Sequence, residues 1–239
     1  MDTLVSTDWL ADELGADDLV VLDCTVYLRM GDNGYVSESG LANYEAGHIP
    51  GAAFADLNED LVDATSSLRY AIPTPEHFGA AIERLGIDDT TRVVLYDDNS
   101  MMWAARVWFM LRWIGFDNAA LLDGGLKAWK AEGRALDSGP SAPTAKPAGS
   151  LSLNPRPRMS ADQAEVMAAI DDGATCLIDA LSASVFSGEV QPYARAGHIP
   201  TARNIPATGM LDRETGRFKP VEQIRAMLPD RPEARTVAY

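Results

Sequence analysis

The chain has 239 residues and a formal net charge of −15, with 46% hydrophobic and 23% charged residues. That balance suits one large domain or two modest ones, and no unbroken apolar run reaches the roughly 18 residues that a membrane-spanning helix needs. So acidic a chain repels nucleic acid and anionic membranes, and neither is expected as a partner. A small anionic ligand has to be held by a local cationic spot against the overall field.

The opening stretch, MDTLVSTDWLADELGADD, is acidic. It has no basic segment ahead of an apolar one, so it does not read as a secretory leader. The only two cysteines are Cys24 and Cys176. With no leader pattern, they argue for a cytoplasmic protein and for buried core thiols rather than a disulfide scaffold.

LVVLD (residues 19–23) and RVVLY (92–96) are apolar runs closed by a polar residue. Such runs suit strands covered on both faces of a parallel sheet. TPEHFGAAIERLGI (74–87) predicts a helix, with Thr74 as N-cap, Pro75 at the first position and Gly86 as the stop. MWAARVWFMLRWIGF (102–116) predicts a second helix, apolar on most sides and therefore buried. Strands alternating with helices imply an α/β fold, a parallel-type sheet flanked by helices on both faces. Ligands of such sheets sit beyond the carboxyl ends of the strands. Asp23, Asp97, Asp179 and Tyr239 fall at or next to those ends.

The pattern occurs twice. VSTDWLADEL, LVVLDC, YEAGHIPGAAF and RVVLYDD are followed, in the same order, by MSADQAEVMAAI, TCLIDA, YARAGHIPTARNIP and RTVAY. Ser6 and Ser160, Asp23 and Asp179, His48 and His198, and Tyr96 and Tyr239 match at a spacing of about 150 residues, as in a tandem repeat with small loop deletions. We place domain one at 1–134, a Pro/Gly/Ser/Ala-rich extended linker at 135–154 and domain two at 155–239.

After Tyr96 the first copy carries, among others, Trp103, Trp108, Phe109, Leu111, Trp113, Ile114, Phe116, Leu121, Leu122 and Trp129. At about 1.5 kcal/mol each on burial, they contribute roughly 15 kcal/mol gross, as much as the net stability of a whole domain. The second copy has no such segment within its residues. The expectation is that about 40 further residues cover the strand TVAY, if the repeat holds.

YEAGHIPGAAFADL, YAIPTPEHFGAAIERLGI, RVVLYDDNSMMWAARVWFMLRWIGFDNAALLDGGLKAW and RAGHIPTARNIP together resemble the tandem-domain rhodaneses. These are thiosulfate sulfurtransferases and their 3-mercaptopyruvate-using relatives. The resemblance implies two rhodanese-like domains, the second incomplete within these residues, and a sulfane sulfur carried on a cysteine persulfide. No cofactor or metal is implied. The partners are a small anionic sulfur donor and a thiophilic acceptor such as cyanide or a thiol.

In that family a cysteine follows the tyrosine that closes the second domain's strand. The nucleophile is therefore expected immediately after Tyr239, and Asp97, after Tyr96, marks the inactive copy. A loop from a buried strand into a helix suits a thiolate, because its N–H groups and the helix dipole lower the thiol pKa.

The resemblance also implies Arg195 and Arg203 as donor-binding residues, and Asp179 and His198 as supports of the site. Arg29 and Arg69 are further candidates for reaching the donor from domain one. Each has a plainer reading beside it: a solvated arginine, a turn or helix-start aspartate, or a histidine that ties a Gly-turn by hydrogen bonds. The family resemblance is weaker at Leu181, where many relatives have an arginine, and at Thr201, which replaces a glycine. A non-catalytic binding module is the alternative if no cysteine follows Tyr239. A dual-specificity phosphatase needs a longer loop closed by an arginine. The donor, thiosulfate or 3-mercaptopyruvate, is left open, and two domains packed on each other are compatible with a monomer.

Overall fold

The computed structural model describes residues 1–31, 34–140, 149–230 and 234–239. They form two compact units, one made of 1–28, 37–156 and 215–217, the other of 29–36, 157–214 and 218–239.

The first unit is built from β1 (Leu4–Val5), α1 (Thr7–Glu13) and β2 (Leu19–Asp23). After the strand pair β3 (Val26–Gly31) and β4 (Gly34–Ser39), of which residues 29–36 count with the second unit, come α2 (Leu41–Ala46), β5 (Ala53–Phe54), α3 (Pro75–Arg84) and β6 (Arg92–Tyr96). It closes with α4 (Met102–Trp113), β7 (Ala119–Leu122) and α5 (Gly125–Ala131). Among the described residues β3 and β4 pair only with each other. The main sheet is parallel, in the order β1-β7-β6-β2-β5. Its register sets Asp23 beside both Tyr96 and Phe54, so the carboxyl ends of β2, β5 and β6 lie level.

The expected strands and helices are present. Thr74 caps α3 by accepting the His77 N–H, and Pro75 fills the first helical position, where a missing N–H costs nothing. In α4, Trp103, Ala104, Val107, Met110 and Leu111 are buried, while the other side chains are partly exposed and Met102 is exposed. The helix is thus half-covered rather than enclosed. Tyr44, Ile49, Val94, Tyr96, Leu122 and Trp129 meet in one core cluster.

The second unit contains α6 (Gln163–Asp172), β8 (Cys176–Asp179), α7 (Ala183–Phe186), β9 (Arg203–Asn204), α8 (Val221–Met227) and β10 (Thr236–Ala238). Its parallel sheet runs β10-β8-β9. A reciprocal cap starts α6: Asp162 accepts the Glu165 N–H, and Glu165 accepts the Asp162 N–H. The core is small, with Cys176, Ile178 and Ile205 against Met210. Thr236 and Ala238 of β10 are exposed, whereas β6 is buried from Val93 to Tyr96.

The segment expected as an extended linker is hydrogen-bonded to the first unit at both of its described ends; residues 141–148 of it lie outside the described residues. His48 and Asp137 exchange two backbone hydrogen bonds, both 2.9 Å, and Gly139 N–H donates to the Glu45 carbonyl. Residues 149–156 form an extended strap on the first unit. Leu151 N–H donates to Glu83, Ser152 pairs twice with Asp89, and Asn154 and Arg156 N–H reach the carbonyls of Ile114 and Trp113. An extended chain leaves its amides unpaired, and the strap satisfies them on the outgoing ends of two helices.

Candidate active site

The first copy shows its strand-to-helix loop in full. Asp97 follows the buried Tyr96 and is itself 2% exposed. Oδ1 accepts the N–H groups of Asn99 and Met101 at 3.0 and 2.9 Å. Oδ2 accepts those of Trp103 and Ala104 at 3.0 and 3.1 Å. The last two are orphan donors of the first turn of α4, so Asp97 caps that helix from within the loop. Met101 makes the turn possible with a left-handed backbone, φ 60°. Burial pushes the Asp97 carboxyl up from its usual value, and the four N–H bonds work against that rise. The loop is an anion cradle holding the chain's own carboxylate.

Asp23 supports the loop from β2. Its Oδ1 accepts both the N–H and the hydroxyl of Thr25. The Thr25 oxygen accepts the Asp98 N–H at 3.0 Å. Burial raises Asp23 to about 6, against the hydrogen bonds from Thr25 and Tyr96. The carboxylate at this strand end thus connects to the loop through the hydroxyl of Thr25.

The second copy repeats this frame up to the point where the loop begins. Asp179 is 1% exposed, and its Oδ1 accepts the Leu181 N–H at 2.8 Å, as Asp23 accepts that of Thr25. Leu181 therefore keeps the backbone bond and lacks the hydroxyl. Asn204 supplies what sequence reasoning missed: its Nδ2 donates to the carbonyls of Asp179 and Leu181 at 3.2 and 2.8 Å. Phe54 occupies the matching register position in the first copy, and that exchange of an apolar for a polar residue was the available signal. Ala180 N–H donates to the Tyr239 carbonyl at 2.9 Å. The backbone of Tyr239 thus lies against the loop that follows Asp179.

The two tyrosines match in detail. The Tyr96 hydroxyl accepts the Ile49 N–H at 3.3 Å, and the Tyr239 hydroxyl accepts the Ile199 N–H at 2.8 Å. The two histidines match as well. His48 Nδ1 bonds the Tyr44 carbonyl at 2.8 Å and stacks on that ring at 3.9 Å. His198 Nδ1 bonds the Phe186 carbonyl at 2.8 Å and stacks on that ring at 3.6 Å. Both histidines brace a turn, buried at His48 and exposed at His198.

This pairing corrects one comparison. Phe186, not Tyr193, is the partner of Tyr44, so residues 187–196 contain an insertion that the first copy lacks. Arg195 belongs to it and is exposed, so it has no counterpart in the first copy. Arg203, exposed on β9, lines a cavity with Thr175, Cys176 and residues of α6. That cavity surrounds the amino end of β8, whereas Asp179 closes its carboxyl end. The structure brings Asp179, Asn204 and Tyr239 together and leaves Arg195 and Arg203 outside that group. Arg69 is exposed on the loop between β5 and α3, and Arg29 is exposed on β3. Cys24 and Cys176 are buried free thiols, and burial pushes the Cys24 thiol far up. Among the described residues no cluster of His, Cys, Asp or Glu could hold a metal ion, and no helix is long and apolar enough to cross a membrane.

Comparison with known proteins agrees with this frame. The model of the rhodanese-like domain matches residues 6–132. The chain is 39% identical to a probable 3-mercaptopyruvate sulfurtransferase of Pseudomonas aeruginosa, over 99% of this chain and 83% of that one. Identity to the human 3-mercaptopyruvate sulfurtransferase is 33%, over 95% of this chain and 76% of the relative. The crystal structure of the 3-mercaptopyruvate sulfotransferase SseA from Escherichia coli superposes with a TM-score of 0.85 at 28% identity, covering 100% of this chain and 88% of that one. With the same α/β frame in two copies, and that match over nearly the whole chain, the protein belongs to the rhodanese-like family.

Proposed function

We propose that this protein is a sulfurtransferase that moves a sulfane sulfur from 3-mercaptopyruvate or thiosulfate to a thiophilic acceptor such as cyanide or a thiol. The nucleophile is a cysteine directly after Tyr239. Its thiolate attacks the outer sulfur of the donor, and a persulfide S–S bond forms. The leaving group is sulfite from thiosulfate, or pyruvate after C–S cleavage and protonation in 3-mercaptopyruvate. The acceptor then takes the terminal sulfur and the thiolate returns, a double displacement.

One observation carries this reading. The residue that follows the matching tyrosine in the first copy, Asp97, holds its negative charge against four backbone N–H groups. A thiolate or persulfide at the equivalent place in the second copy receives the same kind of stabilisation. The relatives are named for this activity. Two unpaired thiols favour a reducing, cytoplasmic setting, and the partners are small anions.

The test uses protein that includes the residues after Tyr239. Thiocyanate formation from cyanide with each donor is measured, and the mass of the donor-treated protein is recorded. Turnover and a gain of one sulfur atom are expected, both retained in Cys24→Ser and Cys176→Ser. Loss of the added sulfur in Cys176→Ser overturns the placement of the nucleophile. Absence of turnover with both donors overturns the activity.

A further inference from the structure

A cavity of about 620 Å³ opens behind Ser182. Its walls are the segment after β8 and the segment after β9, and every lining residue belongs to the second unit. It therefore lies at the carboxyl end of this parallel sheet, where such folds bind ligands. Ala180, whose N–H holds the Tyr239 carbonyl, precedes Ser182 by two residues, a path of at most about 7 Å. The cavity is thus next to the place where the chain leaves Tyr239.

Its polar lining is specific. Arg213 and Lys219 bring two positive charges, Asp212 and Glu214 two negative ones, and Ser182 and Thr208 bring hydroxyls. Lys219 Nζ donates to the Gly209 carbonyl at 2.7 Å. That bond fixes the ammonium and uses one of its three donors. The four charged groups sum to zero, so a bound monoanion leaves the cavity with one net negative charge and a dianion with two. In a chain of net charge −15, a single carboxylate is the better tolerated guest. Arg213 also offers the planar fork that matches a carboxylate.

We propose that this cavity holds the carboxylate of a monoanionic sulfur donor, with Arg213 and Lys219 as its cationic end, and that it disfavours dianionic thiosulfate. Arg213 and Lys219 then supply cationic contacts to the donor from the same end of the sheet as Leu181. The inference deepens the proposed sulfur transfer and rests on it for the identity of the guest as donor.

Two measurements separate the pocket from the activity. In the first, pyruvate is the probe, a monocarboxylate with no sulfur to transfer, and its binding is read by calorimetry or saturation-transfer NMR. Arg213→Gln and Lys219→Gln are each expected to weaken it by about tenfold or more, as loss of a charge-assisted contact does; Arg213→Lys should recover part of the loss. Gln at 219 keeps a donor for the Gly209 carbonyl, and an unchanged urea midpoint shows that the fold is intact. In the second, Arg213→Gln should raise KM for 3-mercaptopyruvate by about tenfold with kcat within about twofold, while KM for thiosulfate moves less than about threefold.

Pyruvate binding that ignores both substitutions, or that is absent from the wild type, overturns the pocket even where turnover is normal. Equal KM shifts for the two donors overturn it as well. Pyruvate binding that responds as expected, in a protein that turns over neither donor, keeps the pocket and removes the sulfurtransferase reading.

Discussion

At the residue scale, Asp97 decides what the first copy can be. Its carboxylate satisfies four buried N–H groups, each of which would cost about 1–3 kcal/mol if left without a partner. Burial of the charge offsets part of that gain. Asp97→Ala is therefore expected to destabilise the first unit by about 3 kcal/mol, a large share of a domain's net stability. All five tryptophans, Trp9, Trp103, Trp108, Trp113 and Trp129, lie in that unit, so urea unfolding followed by tryptophan fluorescence reads it directly. An unchanged midpoint would mean that the cradle does not need its anion.

Asp23 gives a pH dependence whose sign is fixed. Its folded value, about 6, lies above the ordinary aspartate value of 3.8, so the folded state binds the proton more tightly. Its contribution to stability is complete below the unfolded value and is lost as pH rises through about 6. Asp23→Asn cannot ionise and escapes that loss. The stability difference between wild type and Asp23→Asn should move by about 2–3 kcal/mol against the wild type between pH 4 and pH 7. A difference that stays flat over this interval removes the buried-carboxylate account.

At the scale of elements, the turn after each HIP motif shows what a repeat preserves. Gly51 and Thr201 adopt nearly the same left-handed backbone, φ 73° and 69°. A β-branched residue is strained there, at a cost of roughly 1–2 kcal/mol. A Cβ at Gly51 would meet nothing within 4 Å, so the strain at this turn is conformational rather than a clash. Thr201→Gly should stabilise the second unit by about 1 kcal/mol, less the entropy glycine loses on folding, seen as a higher melting temperature in calorimetry. A lower melting temperature would show that the threonine side chain makes a contact worth more than its strain.

The strands, capped helices and carboxyl-end aspartates were legible because each depends on near neighbours in sequence. Leu19–Asp23 and Arg92–Tyr96 follow from their apolar runs, and α3 from Thr74 and Pro75. Long-range partners were not legible. Nothing local to residues 149–156 says that Glu83, Asp89, Ile114 and Trp113 will hold them. Phe186 lies twelve residues before His198, and local identity favoured Tyr193. Asn204 became visible only through its register with Asp179, and no local pattern announces that Arg203, opposite Ile178 in the sheet, lines a cavity with Cys176.

At the scale of the whole molecule, the field and the local site oppose each other. A chain of net charge −15 repels an anionic donor at long range, and the repulsion is twice as strong for a dianion. Salt screens exposed charges beyond roughly 10 Å at 0.1 M, which weakens the long-range repulsion more than contacts made inside a cavity. The cavity behind Ser182 carries balanced charges, so it gives no long-range attraction to lose. Raising ionic strength from about 0.01 to 0.15 M should therefore raise kcat/KM for thiosulfate by about two- to threefold, and for 3-mercaptopyruvate by less. Stopped-flow or steady-state thiocyanate assays at constant pH measure both slopes. If kcat/KM instead falls with salt for both donors, a net cationic entrance steers them, and the charge balance assigned to the cavity is wrong.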